Sequence, residues 1–218
     1  MAEPWSNYQP IRAKFSLVLK HGSRLGLKIM LEYRLFISID LSADVKESLG
    51  QVQAGLKTAQ KIKWVAPNNF HLTVQFLGNT PANKVDHILH ALQKAASNVK
   101  PFQLTLAKLG CFPNKKRPTV LWVGIKGDTD TCKILFQDVA ESMKQFGFSP
   151  DKRGFKPHLT IARTSKSAKL KDYQHIQLLL KNSHVGHVAD IFVTEICLMR
   201  SVLKTTGPVY TTLGTCPL

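Results

Sequence analysis

FHLTVQFLG, at residues 70–78, contains the first of two related patterns in the sequence. A similar stretch, PHLTIAR, returns at residues 157–163, so each copy has a histidine, one spacer residue and a threonine. The alternation of apolar and polar residues in both copies predicts β-strands, in which successive side chains point to opposite faces. We therefore expect one face of each strand to carry the histidine and the threonine, and the other face to join the core.

Strict alternation also assigns a face to the residues that follow. It places His71, Thr73 and Gln75 on one face of the first strand and Phe76 on the other. In the second strand it places Arg163 on the face opposite its histidine. Phe76 and Arg163 are both the fifth residue after a histidine, so only the second copy has a permanent cation at this position.

The repeated pattern favours catalysis on a phosphate group. If a pseudo-twofold axis brings the two strands side by side, His71, Thr73, His158 and Thr160 converge on one cleft. Two imidazoles and two hydroxyls supply an acid, a base and donors that hold an anion. A phosphodiester or a cyclic phosphate needs those groups. A single HxT sequence commonly marks only a surface histidine, so the argument depends on the repetition.

The charge of the chain points to an anionic partner. Lys and Arg number 30 against 14 Asp and Glu, which gives a formal net charge of +16. Such a charge favours polyanions through phosphate contacts and counterion release. An exposed basic rim is expected around the second histidine, although a run of charges is usually only a solvated surface. The rim comprises Lys115, Lys116, Arg117, Arg153 and Lys156.

Cysteine and histidine spacing gives no metal or redox signal. The four cysteines contain no CxxC pair, which predicts free thiols in a reducing cytoplasm. Two pairs of histidines have three-residue spacing, but no cysteine or acidic cluster completes a metal site, so solvated side chains are favoured. The cysteines are Cys111, Cys132, Cys197 and Cys216, and the histidine pairs are His87 with His90 and His184 with His187.

The rest of the pattern predicts one α+β domain. Strands are expected at 35–41, 102–109, 120–125, 188–198 and 209–213, and helices after Ser42, Pro81 and Asp128, with a further short helix after the second copy. This order implies two pseudo-symmetric lobes of antiparallel sheet plus helices around a central cleft. Residues 1–32 are expected to form a loosely held basic extension, and residues 33–218 a single bilobal domain. The sequence contains no run of eighteen apolar residues, so no membrane span is expected.

Five blocks of sequence carry a family resemblance. They are RLFISIDL from Arg34, WVAPNNFHLTVQFLG from Trp64, PTVLWVG from Pro118, RGFKPHLTIAR from Arg153 and LMRSVLKTTGPVY from Leu198. In this order they resemble the 2H phosphoesterase superfamily, and within it the RNA 2′,3′-cyclic phosphodiesterases, also called LigT-like 2′-5′ RNA ligases. The resemblance extends from about residue 33 to the C-terminus.

The resemblance implies a reaction and a role for each site residue. The implied reaction is hydrolysis of RNA 2′,3′-cyclic phosphate ends to 2′-phosphates, with no metal or cofactor. It assigns His71 as the acid and His158 as the base, an order that the sequence itself does not decide. Thr73 and Thr160 would donate to phosphate oxygens, and Arg163 would neutralise their charge. The role of Arg163 requires the second strand to end, bend or bulge near residue 162.

Other functions fit the same residues. With a 5′-hydroxyl RNA in place of water, the reverse reaction would be 2′-5′ ligation. A different nucleotide cyclic phosphate is a further substrate, and an RNA-binding module without catalysis is an alternative of another class. The expected partners are RNAs with 2′,3′-cyclic phosphate ends, such as tRNA halves. No membrane and no obligate protein partner are expected, and the expected location is the cytoplasm.

Overall fold

The structure is a computed structural model of the chain, and it describes residues 12–18, 26–56, 61–150 and 154–218. For residues 12–18 and 26–30, it describes the backbone. Much of the predicted extension, residues 1–11 and 19–25, lies outside the described residues, as does Arg153 of the basic rim.

Strands and helices alternate along the described chain. The strands are β1 (Arg12–Val18), β2 (Gly26–Ile39), β3 (Ile62–Trp64), β4 (Leu72–Pro81), β5 (Phe102–Phe112), β6 (Val120–Gly127), β7 (His158–Thr164), β8 (His187–Val193), β9 (Glu195–Lys204) and β10 (Gly207–Pro217). The helices are α1 (Ala43–Leu56), α2 (Val85–Ala96), α3 (Thr129–Lys144) and α4 (Leu170–Asn182). Short 3₁₀ turns at Pro67–Asn69 and Ala82–Lys84 precede β4 and α2.

The strands form two antiparallel sheets. The first sheet has the order β1-β2-β9-β10, with β4 also paired to β2, and the second has the order β3-β7-β6-β5-β8. The second HxT copy lies on β7, and the first lies at the start of β4, with His71 immediately before its first residue, so each sheet is associated with one histidine. The predicted α+β fold with two lobes of antiparallel sheet is confirmed.

One hydrophobic core joins the two sheets to the helices. It includes Leu72 of β4, Leu159 of β7, Leu49 of α1 and Val139 of α3, all of which are fully buried. The histidines next to Leu72 and Leu159 are only half-buried. The core and the helices therefore occupy one face of each sheet, and the opposite faces are left for a cleft.

The predicted helix starts are found where capping side chains were expected. Ser42 Oγ accepts a hydrogen bond from the Val45 amide at 3.4 Å at the start of α1. Asp128 Oδ1 accepts one from the Thr131 amide at 3.1 Å at the start of α3. Both contacts satisfy amides that a first helical turn leaves unpaired.

The predicted single strand at 188–198 is wrong. β8 ends at Val193 in the second sheet, and β9 begins at Glu195 in the first. The chain changes sheets at Thr194, whose carbonyl accepts a hydrogen bond from the Leu218 amide. A continuous apolar pattern predicts extended backbone but not the strand with which it pairs, so the break was missed.

The two sheets are interleaved in sequence. β1 and β2 belong to the first sheet, β3 to the second, β4 to the first, β5 to β8 to the second, and β9 and β10 to the first. Between β2 and β9 the chain thus passes from one sheet to the other four times.

β2 is continuous through residue 33, so the division of the chain at residues 32 and 33 remains a prediction. All four cysteines are free thiols, as predicted, and Cys111 is half-buried while the others are buried. Within the described ranges, no helix is long and apolar enough to cross a lipid bilayer.

Candidate active site

A β-bulge in β4 changes the face of the residues that follow Thr73. In the pairing with β2, Thr73 lies opposite Ser38 and Gln75 lies opposite Ile37, so Val74 is an extra residue. After the bulge, Gln75 is buried, with 5% of its surface exposed, and Phe76 is 63% exposed. Strict alternation predicted that Gln75 lies on the face of His71 and that Phe76 lies in the core. Both predictions are wrong, because an inserted residue reverses the faces to which the later side chains point.

β7 has a bulge at the matching position. Thr160 lies opposite Trp122 and Ala162 lies opposite Leu121, so Ile161 is the extra residue. Ile161 and Ala162 are consecutive and both fully buried, while Arg163 is exposed. The bulge that the role of Arg163 required is present, and it turns this residue to the face of His158 and Thr160.

Both imidazoles are oriented in the same way. His71 Nδ1 lies 2.8 Å from the carbonyl oxygen of Asn69, and His158 Nδ1 lies 2.7 Å from that of Lys156. A carbonyl can only accept, so these contacts place the proton of each neutral ring on Nδ1. Nε2 is then the free nitrogen of each histidine, able to take a proton when the ring is neutral and to give one when it is charged.

Aromatic rings pack against each histidine. The ring centroid of His71 is 4.9 Å from that of Phe36 and 5.3 Å from that of Tyr210, which it meets at 90°. His158 is 4.9 Å from Phe112, also at 90°, and 6.4 Å from Trp122. Edge-to-face contacts of this kind are favourable and directional. They restrict how far each imidazole can turn.

Trp122 lies across two glycines of the second sheet. A Cβ atom added at Gly110 would overlap the indole ring, and one at Gly124 would lie 3.2 Å from it and 2.9 Å from the Ala107 carbonyl oxygen. Glycine is therefore needed at these two positions if the indole is to rest on the sheet beside His158.

Burial lowers the pKa of both histidines below the ordinary value of 6.5. In each case the hydrogen bond to the backbone carbonyl raises the pKa, and the positive charge of Arg163 lowers it. At His71 the carboxylate of Asp40 raises the pKa and the ammonium group of Lys46 lowers it. Arg163 therefore lies within electrostatic reach of both imidazoles, one from each sheet.

The two threonines have free hydroxyl groups. Thr73 and Thr160 are half-buried, and neither hydroxyl has a hydrogen-bond partner in the described part of the chain. With the free Nε2 atoms and the guanidinium of Arg163, these hydroxyls can serve as donors to an anion. The cleft thus combines proton transfer with anion binding.

The second bulge is held by a side chain from α1. Gln53 is only 1% exposed, and its Nε2 donates to the carbonyl oxygens of Ile161 at 2.7 Å and Val65 at 2.9 Å. The Ile161 carbonyl also accepts from the Val65 amide at 2.9 Å. A residue far away in sequence thus supports the bulge that turns Arg163 toward the histidines.

Sequence reasoning missed several residues of this cleft. Arg34 and Phe36 share the cleft face of β2, and Tyr210 lies on β10, while Phe112 and Trp122 flank the second histidine. Strand alternation alone did not connect them to the histidines, because the sheets bring together residues far apart in sequence. All of these residues except Phe112 lie in the blocks RLFISIDL, PTVLWVG and LMRSVLKTTGPVY, and this position was the signal that could have identified them.

The basic rim is exposed where it is described. Lys115, Lys116, Arg117 and Lys156 are all exposed, and Lys115 and Lys116 share a surface cleft with Lys181 of α4. The loop that carries the first three residues joins β5 to β6, directly beyond Phe112. The rim therefore begins next to the ring that packs on His158.

No candidate metal site accompanies these groups. Among residues 26–56, 61–150 and 154–218, no three His, Cys, Asp or Glu side chains are close enough to bind one ion. His87, His90, His184 and His187 are exposed, and His187 Nε2 lies 3.2 Å from Asp190 Oδ2.

The sequence matches a known family. Residues 39–122 match the model of the LigT like Phosphoesterase family. An Archaeoglobus fulgidus protein named RNA 2′,3′-cyclic phosphodiesterase is 31% identical over 177 residues, which cover 81% of this chain and 96% of that protein. A protein of the same name from Aquifex aeolicus is 30% identical over 179 residues, covering 82% and 93%.

The fold matches solved structures. A crystal structure of a Thermus thermophilus protein superposes with a TM-score of 0.71 and 26% identity, covering 85% of this chain and 97% of that one. LigT of E. coli in its apo form gives a TM-score of 0.68 at 24% identity, covering 86% and 98%. The second likeness supports the fold alone.

Proposed function

The chain belongs to the LigT-like phosphoesterase family, and on that premise we propose that it is a hydrolase that opens 2′,3′-cyclic phosphate ends of RNA. Its relatives named RNA 2′,3′-cyclic phosphodiesterase support this reaction. The product would be an RNA with a 2′-phosphate and a free 3′-hydroxyl. The two histidines would carry out the proton transfers, without a metal.

His158 is the proposed base. Its Nδ1 proton is engaged by the Lys156 carbonyl, so the lone pair of Nε2 is available to a water molecule. As Nε2 takes the proton, the water oxygen attacks phosphorus and forms the new P–O bond. The pKa of His158, lowered by burial, favours the neutral ring that this step requires.

His71 is the proposed acid. The P–O3′ bond breaks as the attacking oxygen adds, and the departing O3′ takes the proton from Nε2 of a charged His71. Burial lowers the pKa of His71 on balance, but the carboxylate of Asp40 opposes this shift and favours the charged ring, whereas no carboxylate acts in this way on His158 within the described residues. The protons are then restored by exchange with solvent, and the acid and the base return to their initial states.

The remaining groups would hold the phosphate. The hydroxyls of Thr73 and Thr160 would donate to the non-bridging oxygens, and the guanidinium of Arg163 would balance the charge that accumulates there. Fixed donors of this kind stabilise a transition state because they need no rearrangement as charge develops. The matching bulges of β4 and β7 support this use of both strands.

The basic rim would bind the RNA strand that precedes the cyclic end. Lys115, Lys116, Arg117 and Lys156 are exposed beside the second histidine, and the excess of basic residues favours phosphate contacts. RNAs such as tRNA halves are the proposed substrates. We place the enzyme in the cytoplasm, which fits its free thiols. Residues 33–218 would form the catalytic domain, and residues 1–32 an extension.

The observation that carries this proposal is the paired orientation of the imidazoles, each with Nδ1 held by a carbonyl and Nε2 free. The test is to incubate the protein, with a chelator present, with an oligonucleotide that ends in a 2′,3′-cyclic phosphate. We expect conversion to the 2′-phosphate. Binding without conversion would indicate an RNA-binding module, and loss of activity on chelation would indicate a metal.

The histidine variants complete the test. His71→Ala and His158→Ala should each reduce the rate by about 10²- to 10⁴-fold, the usual contribution of general acid–base catalysis. Far-ultraviolet circular dichroism should be unchanged, because both side chains lie on the cleft face rather than in the core. A variant that keeps more than about a third of the wild-type rate contradicts the two-histidine mechanism.

A further inference from the structure

Tyr210 lies at the edge of the imidazole assigned as the acid. Its ring centroid is 5.3 Å from that of His71, with the rings perpendicular, and 5.0 Å from that of Phe36. On β10 it lies opposite Ser201, which in turn lies opposite Arg34 of β2. Tyr210 is half-buried in this position. The last strand of the chain therefore brings a phenol ring directly to the catalytic face.

The strand that carries Tyr210 is tied to the turn that orients His71. Asn69 Nδ2 donates to the Pro208 carbonyl at 2.8 Å, and the Asn69 carbonyl lies 2.8 Å from His71 Nδ1. Asn69 thus contacts the imidazole with its main-chain carbonyl and contacts β10 with its side chain. Because Pro208 is two residues before Tyr210, this tie fixes the phenol and the imidazole relative to each other.

The phenol hydroxyl does not take part in holding the fold. It makes no hydrogen bond with any of the described residues, and it is not one of their buried polar atoms, so it is accessible to a ligand. Burial raises the pKa of Tyr210 above its ordinary value of 10.0, so the hydroxyl keeps its proton at neutral pH. The charges of Arg163 and Arg34 act on that pKa in the opposite direction. The same guanidinium of Arg163 therefore acts on Tyr210 and on both histidines.

We propose that the Tyr210 hydroxyl donates a hydrogen bond to the phosphate group of the substrate, as a third hydroxyl beside those of Thr73 and Thr160. This assignment rests on the proposed function, and it adds a donor from the C-terminal strand to those of the two HxT strands. Negative charge on the non-bridging oxygens is greatest in the transition state, so the donor contributes to kcat more than to substrate binding.

Tyr210→Phe is the deciding variant, because it removes only the hydroxyl and keeps the ring against His71 and Phe36. With a nucleoside 2′,3′-cyclic phosphate, we expect kcat to fall by about 10- to 100-fold, somewhat less than the loss of one side-chain donor from an oxyanion hole, while KM changes by less than about threefold. Tyr173→Phe on α4 is the matched control and should have the wild-type rate. A Tyr210→Phe rate within about twofold of wild type overturns the proposal even if Tyr210→Ala is slow, because the ring alone would then explain the residue.

Affinity for inorganic phosphate tests the contact of Tyr210 independently of whether the protein hydrolyses cyclic phosphates. If the wild-type protein hydrolyses no cyclic phosphate, the proposed function fails, and titration calorimetry with inorganic phosphate then decides the role of Tyr210. A dissociation constant for Tyr210→Phe at least about fivefold above that of the wild type, about 1 kcal/mol, supports the contact. The effect on this ligand should exceed the effect on KM, because the phosphate dianion carries more negative charge on its oxygens than the cyclic diester does. Equal dissociation constants for the two proteins overturn it.

Discussion

A guanidinium group and an ammonium group carry the same charge but differ in shape, and this difference tests the position of Arg163. The planar fork of Arg163 can make two charge-assisted hydrogen bonds to a phosphate, which lysine cannot reproduce. We therefore expect Arg163→Lys to lose at least tenfold in rate with a nucleoside 2′,3′-cyclic phosphate, equivalent to about 1.4 kcal/mol in the barrier. A near-normal rate would remove Arg163 from the site while leaving the histidines and threonines in place.

The lowered pKa values of His71 and His158 predict the dependence of the rate on pH. One ring must be neutral and the other charged, so kcat/KM should follow a bell whose limbs are apparent values of the pair. Burial favours the neutral form of both rings, so the maximum should lie on the acid side of that expected for two ordinary histidines. The anionic substrate favours charged His71, so the alkaline limb of kcat should lie at higher pH than that of kcat/KM.

Rate measurements from about pH 4 to about pH 10 check both statements. Lower pH protonates the base, and higher pH deprotonates the acid, so activity should be lost in both directions. A rate that rises steadily across this whole range would contradict the histidine pair and would indicate a metal-bound hydroxide.

The residues of the two HxT copies could be predicted because their spacing is local. A histidine and a threonine two residues apart share a face of any strand, whatever its partner. The face of Phe76 and Arg163 could not be predicted in this way, since it depends on the bulges at Val74 and Ile161. A bulge exists only in relation to the neighbouring strand, and the registers of β2 and β6 are not written in the local sequence.

At the scale of the elements, the bulge in β7 depends on a helix. Gln53→Leu keeps the volume at this buried position of α1 but removes the donor to the Ile161 and Val65 carbonyls. We expect a loss of about 1–3 kcal/mol in the free energy of unfolding, the usual cost of buried polar groups left without a partner. Activity should fall as well, because Arg163 is two residues beyond the bulge.

Urea unfolding and steady-state kinetics with a nucleoside 2′,3′-cyclic phosphate measure the two effects. Gln177→Leu is a matched control, because Gln177 Nε2 also donates from a helix to a carbonyl, that of Lys116, but this hydrogen bond is exposed to solvent. Gln177→Leu should change neither the free energy of unfolding nor the rate appreciably. If Arg163 acts through the bulge, the rate losses of Gln53→Leu and Arg163→Lys should be less than additive when combined. Fully additive losses would show that Gln53 does not position Arg163.

The elements themselves were predicted more successfully than their pairing. Helix starts at Ser42 and Asp128 follow from side chains within a few residues of the cap, and the structure has them there. The break at Thr194 was missed because β8 and β9 have similar apolar patterns and pair in different sheets. Which strands become neighbours is decided by the packing of the whole chain.

At the scale of the whole molecule, the net charge of +16 gives a prediction for RNA binding. If the described rim residues contact phosphates, affinity for a long oligonucleotide should fall linearly with salt on a log–log plot. Removing one contact, as in Lys115→Gln or Lys116→Gln, should reduce the slope by about 0.7 for single-stranded RNA. Hydrolysis of a nucleoside cyclic phosphate, which reaches little of the rim, should respond less to salt.

Lys94→Gln on α2 provides the matched loss of charge. Lys94 is exposed on a helix that packs on the side of the first sheet away from the histidines, so this variant should keep the wild-type slope. If the oligonucleotide and the nucleoside cyclic phosphate prove equally sensitive to salt, the rim is only a solvated surface.

The four passages of the chain between the two sheets have a consequence for how the protein can be divided. A cut before β9 removes two strands from the first sheet, and a cut before β5 leaves β3 behind without the rest of the second sheet. No single break in the backbone yields two fragments that each contain one complete sheet. His71 and His158, the proposed acid and base, belong to different sheets, so no single break leaves a fragment that carries one of them on a complete sheet without the other. A premature stop before β9 therefore leaves the second sheet complete but removes two strands from the first, and no exchange of fragments at a single crossover can replace one sheet while keeping the other intact.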